Sequence, residues 1–496
     1  MIAAFWLESK PLALQISPAL RVPRWLRQCW SGCCLTPRAL LRLFHLIPAK
    51  LPPLSHLSGS GKVRLFGSVC ALLVSAFGTG SSHGQEAIRA SMTGSQAASA
   101  RARAINEDYN LKVGPVRLNV RAALDAEFND NIDLADEVEG AAEKQADIIL
   151  RPRVELTGGW QITRLNRLDL RLGLGIEHYL TVPRTTGNTL VMAPSEISFD
   201  VFVGDVKLNF HDRFSLQQDS AATDPTLNNT TQQARFTNTI GVSALWDLNQ
   251  AVVTAGYDHT DVVATTKQVN SEDRRTDLFY VSVALRPDEA MTTGVQSSIA
   301  LTSYSDTLRP SLSAFSAGPF LYALITPYTR VELAGGGQFY LYDYAERPTS
   351  DPFLASLNEE EIEEPAEEGF GFYASLTVSN RLNANFTHSL ALGHERQLAS
   401  GADYVDLEFL RYSSAWKVNR KLTLSSGFFL ERGKSGGGGS VDGEEFTRSG
   451  AAFSFSVKLT KKLDMALRYV YTSKESDILF RDYAQNVFGI TFQYDF

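Results

Sequence analysis

"VRLNVRAALDAEF", residues 116–128, alternates without a break. Val116, Leu118, Val120, Ala122, Leu124, Ala126 and Phe128 hold one parity; Arg117, Asn119, Arg121, Ala123, Asp125 and Glu127 hold the other. A period of two belongs to a β-strand, whose successive side chains point to opposite faces. One face here is apolar and the other largely charged, so this strand divides an apolar environment from an aqueous one.

The pattern recurs downstream. From Leu168, Leu170, Leu172, Leu174 and Ile176 alternate with Arg167, Asp169, Arg171, Gly173, Gly175 and Glu177. Short turns follow at 247–250, 286–290, 326–330, 380–383, 418–421 and 460–464, alternating with longer polar connections at 264–275, 358–368 and 433–445. Strands of about ten residues, joined alternately by short turns and long loops, are the signature of an all-β transmembrane antiparallel up-and-down barrel. The reading gives about eighteen strands, with sixteen as the alternative, and an even number leaves both termini on the periplasmic side. The hairpin turning at Gly204–Asp205 is the one whose loss leads to the smaller count. Pro152 predicts a bulge or a local edge, and a parity change near Leu410 predicts a bulge.

Energetics orients the faces. An arginine turned to lipid near the midplane costs about 2–4 kcal/mol. Arg117, Arg121, Asp125 and Glu127 therefore face a lumen, together with Asp147, Arg151, Arg153 and Glu155 and with Arg167, Asp169, Arg171 and Glu177. Downstream of the first 84 residues the tryptophans are Trp160, Trp246 and Trp416, each at a strand end before a short turn. Indole favours the headgroup level, so these three read as an aromatic girdle. A propeller or a β-sandwich would also alternate. Against both stand the strand length, the missing blade dipeptides and the rim position of the tryptophans.

All four cysteines, at 29, 33, 34 and 70, precede the barrel, so no thiol staples it. Of 47 basic and 55 acidic residues, nine and one lie in the first 84 positions; the remaining 38 and 54 give residues 85–496 a net charge of −16. That balance disfavours nucleic acid as a partner. Residues 62–84 have a basic start, an apolar run from Leu65 to Phe77 and a small-residue end, the three-part pattern of a secretory signal peptide. Residues 1–61 read as an atypical leader or a miscalled start, 85–112 as a short periplasmic segment with room for a brief helix, and 113–496 as the barrel.

In "NVFGITFQYDF", residues 486–496, Phe488, Ile490, Phe492, Tyr494 and Phe496 share one parity. This resembles the C-terminal assembly signal of Gram-negative outer-membrane barrels, which implies recognition by the barrel-assembly machinery. With "AEFNDNI" (126–132) closing the first strand, the chain also resembles the putative β-barrel porin families associated with exopolysaccharide export.

Function follows from the wall. Barrels of this size leave an aqueous channel, and rings of charge govern passage through it. A charged wall over the first three strands faces small polar positions later, such as Thr292, Gln296 and Ser298, or Ser454, Ser456 and Lys458. The expected activity is a pore for small polar solutes or a glycan, set in outer-membrane lipid and lipopolysaccharide. The alternatives are a salt-bridged wall with no solute role, in a structural or adhesive barrel with a closed lumen, and an outer-membrane hydrolase. His211 with Ser215, and His388 with Ser389, are the candidate pairs for the last. Neighbours on a strand point to opposite faces, and no nucleophile elbow, metal motif or cofactor motif is present, so no enzyme and no cofactor are expected. The acidic loop 359–368 reads as a solvated extracellular loop and "GGGG" (436–439) as flexible.

Overall fold

A computed structural model describes residues 109–136, 143–181, 188–218, 234–264, 273–286, 290–305, 310–343, 369–398, 404–436 and 443–496. Residues 1–84, expected to be a leader and a signal peptide, the acidic loop and most of the glycine run lie outside these residues. The strands in chain order are β1 (Leu111–Val113), β2 (Val116–Asn129), β3 (Asp147–Gln161), β4 (Arg167–Tyr179), β5 (Asn188–Val203), β6 (Val206–Gln218), β7 (Ala234–Asp247), β8 (Ala251–Ala264), β9 (Arg274–Leu285) and β10 (Met291–Tyr304). They continue as β11 (Ser311–Thr326), β12 (Thr329–Asp343), β13 (Gly369–Arg381), β14 (Phe386–Gln397), β15 (Tyr404–Lys417), β16 (Leu422–Gly436), β17 (Glu445–Lys458), β18 (Leu463–Ser476) and β19 (Tyr483–Asp495).

Each strand from β2 to β19 pairs antiparallel with the next, and β19 pairs with β2 from Val487 opposite Asn129 to Asp495 opposite Arg121. The sheet is a closed barrel of eighteen strands. The hairpin at Gly204–Asp205 is present: Val203 faces Val206, and Gly204 takes a positive φ of 59° that a side chain would resist.

Closure is staggered, so β19 runs out before the edge of β2 is filled. The Phe496 N–H donates to Val120 O at 3.2 Å, and β1 takes over below it, from Val113 opposite Val116 to Leu111 opposite Leu118. Between the two, the Asn110 side chain imitates a strand residue. Its Oδ1 accepts from Val120 N at 3.0 Å and its Nδ2 donates to Val120 O at 2.7 Å. Residues 111–113 are therefore strand rather than helix, because an open edge of β2 demands partners.

At Pro152 the structure shows a local edge and not a bulge: the residue stays in register opposite Leu124, while towards β4 the pairing lapses between Leu150 and Arg153 and resumes unshifted. The bulge expected near Leu410 is corrected. β15 keeps one register with both β14 and β16 throughout. Its apolar residues change face because the strand leaves the apolar belt. Below Leu410 the outer face is apolar; above it Glu408 and Asp406 point outward, while Leu407 and Val405 are buried inside. A register shift falls instead at Pro194, where Gly173 faces Ala193 but Arg171 faces Glu196, and another between Leu324 and Thr326 on β11. The Ser195 hydroxyl repairs the gap, accepting from Gly173 N at 3.1 Å and donating to Ala193 O at 2.8 Å.

Candidate functional site: the lumen wall and mouth

The lumen parity follows from the register. Arg121 faces Glu155, Arg153 faces Gly175 and Glu127 faces Gly489, so the odd positions of β2, β3, β4 and β19 share one surface. The even positions carry the exposed apolar side chains, among them Leu124, Phe128, Val154 and Leu174. On β10, Gln296 reaches past two strands to donate to the Tyr373 hydroxyl of β13 at 3.2 Å, a contact that only the concave side of a sheet allows.

The charged residues of this wall are cross-linked. Arg151 binds Glu177 at 2.7 Å and Glu127 at 3.1 Å, and Arg468 of β18 meets the other oxygen of Glu127 at 2.8 Å. Arg153 pairs with Asp125 and, at 2.9 Å, with Glu155. Asp125 also accepts from the Thr491 hydroxyl at 2.5 Å. Arg121 meets Asp495 at 2.6 Å, Arg167 meets Asp169 at 2.8 Å, and Arg117 lies 5.4 Å from the Tyr109 ring. Arg171 differs: it is exposed in the lumen and has no hydrogen-bond or ion-pair partner among the described residues. It is the uncompensated cation of the wall.

Sequence reasoning missed a second polar group, on β5–β8. His211 Nε2 lies 3.1 Å from Asp258 Oδ1, reaching over β7 at Gly241, where a Cβ would collide with both partners. Asn209 contacts His211 Nδ1 at 2.9 Å and donates to Ser198 at 2.8 Å and Asp200 at 2.7 Å. His211 is thus held by Asn209 and Asp258. His388 points outward, between Phe386 and Tyr412, while Ser389 points inward and bonds Ser379 at 3.0 Å. The only sequence signal for the His211 group was shared parity, which cannot place a partner two strands away.

The later strands are not simply small and polar. Ser298 bonds Ser316 at 2.7 Å, but Tyr280, Tyr340 and Tyr373 also point inward and are buried. At the loop end, Glu431 accepts from Arg448 at 2.6 Å and Arg411 at 2.9 Å with 2% of its side chain exposed. Nearby Glu444 binds Lys474 at 2.7 Å and Arg481 at 3.1 Å, and Val405, Leu407 and Phe446 form an apolar cluster beside them.

Residues 130–136 fold into this mouth. Asn131 is fully buried: its Nδ2 donates to Ala135 O and Ala484 O, and its Oδ1 accepts from Ala135 N. Ile132 packs with Ile149 and Tyr179, and Leu134 with Tyr483. The loop end is thus narrowed from one side by an ordered segment.

At the opposite end, Trp160, Trp246 and Trp416 all lie on the outer face beside the short turns, 39–47% exposed. Phe488, Ile490, Phe492 and Tyr494 are on the outer parity of β19, opposite Phe128, Ala126, Leu124 and Ala122. A cavity of about 830 Å³ lies on this outer face, among Phe386, Trp416, Leu424, Phe453, Leu467 and Phe488. Its lining is mainly apolar, with Glu127, Arg468 and Gly489 of the wall among its residues.

No protein-family description matches the chain, and no curated protein matches it. Among solved structures it is similar to OccK2 (OpdF) of Pseudomonas aeruginosa, with 9% identity and a TM-score of 0.46 over 76% of this chain and 98% of that one. OpdK of the same organism, solved with vanillate, shows 10% identity and a TM-score of 0.46 over 76% and 99%. OccAB4 of Acinetobacter baumannii shows 9% identity and a TM-score of 0.44 over 76% and 98%.

Proposed function

We propose that the chain is a Gram-negative outer-membrane pore for small polar solutes. The observation that carries this reading is a closed eighteen-stranded sheet with an apolar outer face and a hydrogen-bonded, charged inner one. In lipid every backbone group must be satisfied within the protein, which a closed barrel achieves. Apolar residues outside and arginines inside are stable only when lipid surrounds the barrel and water fills it.

In this reading the salt-bridged wall keeps the lumen in shape, and Arg171 is a charge left to act on a solute. Small sugars or short glycans fit the hydroxyl-lined strands, which is as far as the proposed link to polysaccharide export goes. Residues 62–84 export the chain, the outward aromatics of β19 engage the assembly machinery, and both termini stay in the periplasm. A second reading rests on the buried ions and the apolar cluster at the loop end: a barrel shut there, with a structural or adhesive role.

Single-channel recording of the purified protein in planar bilayers separates the two. Discrete open steps are the expected result, and a folded barrel that never conducts would hand the case to the closed form.

A further inference from the structure

The ladder between β13 and β14 stops early. It runs from Arg381 opposite Thr387 to Ala374 opposite His394. Above that row β13 continues to Gly369 paired only with β12, and β14 continues to Gln397 paired only with β15. Two backbone edges, 371–373 and 395–397, therefore flank a split in the wall.

The same row marks a change of outer face. His394, Glu408, Arg432, Thr447 and Glu475 follow one another outward across β14 to β18, whereas the row below reads Leu392, Leu410, Leu430, Ser449 and Ser473, apolar on β14 to β16, the strands beside the split. On β2 and β3 the outer face stays apolar up to Phe128 and Ile148. Open edges are not tolerated in hydrocarbon, and this one begins where the wall turns polar, at the headgroup level.

Side chains close the split. Phe372 stacks on His394 at 4.5 Å between centroids, and Tyr342 approaches Tyr404 at 6.4 Å. Arg396 lies 5.0 Å from the Tyr340 ring on one side of the split and 4.0 Å from the Tyr404 ring on the other. Asp406 fixes its guanidinium with bonds of 2.6 and 2.7 Å. Phe370 and Phe372 are 78% and 58% exposed beside it. At Gly371 a Cβ would meet only Tyr340, at 3.7 Å. On the inward parity of β14, the buried Oε1 of Gln397 has no hydrogen-bond partner, an acceptor left open at the inner edge of the split.

We propose that this split is a side portal, through which small apolar or amphiphilic molecules pass between the channel mouth and the outer leaflet, with Arg396 as its latch. The aromatic lining takes a flat apolar body, and Gln397 takes a hydrogen-bond donor. The contacts holding it are few and individually weak: a cation over a ring contributes about 0.5–2 kcal/mol. The portal needs no open lumen below it, so it stands apart from the pore reading.

The test uses the full chain in the outer membrane of a Gram-negative host, with N-phenyl-1-naphthylamine as the probe, an amine donor on an apolar aromatic body that fluoresces on reaching hydrocarbon. Cysteines placed by Gly371→Cys and Gln397→Cys stand where the β13–β14 register, carried on past its last pair, would set partners, and no native cysteine lies in the barrel. Oxidation should lower probe entry to the level of host cells lacking the protein, and reduction should restore it, with conductance in planar bilayers unchanged. Arg396→Ala should speed entry several-fold. Entry indifferent both to a cross-link seen on gels and to Arg396→Ala overturns the portal. If the double variant does not fold, Arg396→Ala decides alone, and an unchanged rate is the overturning result. Latch-sensitive entry through a barrel that does not conduct would keep the portal and remove the pore.

Discussion

At the scale of single residues, neighbouring charges in this lumen have opposite assignments. Arg153 and Arg151 are absorbed by Asp125, Glu155, Glu127 and Glu177, whereas Arg171 has no such partner among the described residues. Arg171→Glu is therefore expected to move ion selectivity towards cations, seen as a shift of reversal potential under a salt gradient; Arg171→Gln should shift it less. No movement in either variant would remove Arg171 from the permeation path. Glu431 serves structure instead. Its replacement by alanine leaves Arg411 and Arg448 facing each other in a buried site, and losing one partner of a buried pair costs about 3–5 kcal/mol. Urea unfolding followed by tryptophan fluorescence should show a loss of that size. Gly241→Ala drives a Cβ into Asp258 and His211, and overpacking of this kind costs about 1–3 kcal/mol by the same measurement.

At the scale of elements, the decisive device is the seam on β2. Asn110 supplies acceptor and donor to Val120 and also donates to Asn119 Oδ1 at 3.3 Å, so Asn110→Ala removes three hydrogen bonds, the two to Val120 worth about 0.5–1.5 kcal/mol each. The local expectation is faster amide exchange at Val120, with β3 unchanged; equal protection in both proteins would show that Phe496 and β1 suffice. The same scale shows what alternation could and could not reveal. Strand positions, turn positions and the sidedness of β2 to β4 were legible, because a two-residue period against a charged face allows one register only. β15 was misread because period two assigns faces without heights: where a strand rises out of the belt, the outer face becomes the wet one and apolar residues move inside. Pro194 escaped notice while Pro152 did not, although each only removes a ladder N–H; which of them shifts the register depends on its neighbours. The Arg411–Glu431–Arg448 and Lys474–Glu444–Arg481 groups join residues on different strands and at a loop, and no pattern along one strand contains them.

At the scale of the whole molecule, the short-turn rim carries the three barrel tryptophans and the loop rim carries the polar outer rows of β14 to β18. The barrel should therefore sit with its short turns at one headgroup layer. Brominated lipids report this: bromines near the headgroups should quench Trp160, Trp246 and Trp416 more strongly than bromines near the chain ends, and the reverse order would overturn the placement. The seam also has a consequence in time. Arg121 meets Asp495 across 374 residues of chain, whereas every other neighbour in the barrel is joined by a single loop. The free edge of β2 must wait through the appearance of every later strand, with its N–H and C=O groups open to any stray strand. The entropic cost of bringing the ends together grows only slowly with the length between them. The hazard of assembly therefore lies less in that cost than in the waiting, and a catalyst that shields the first edge until the last strand arrives would shorten the wait without altering the folded state.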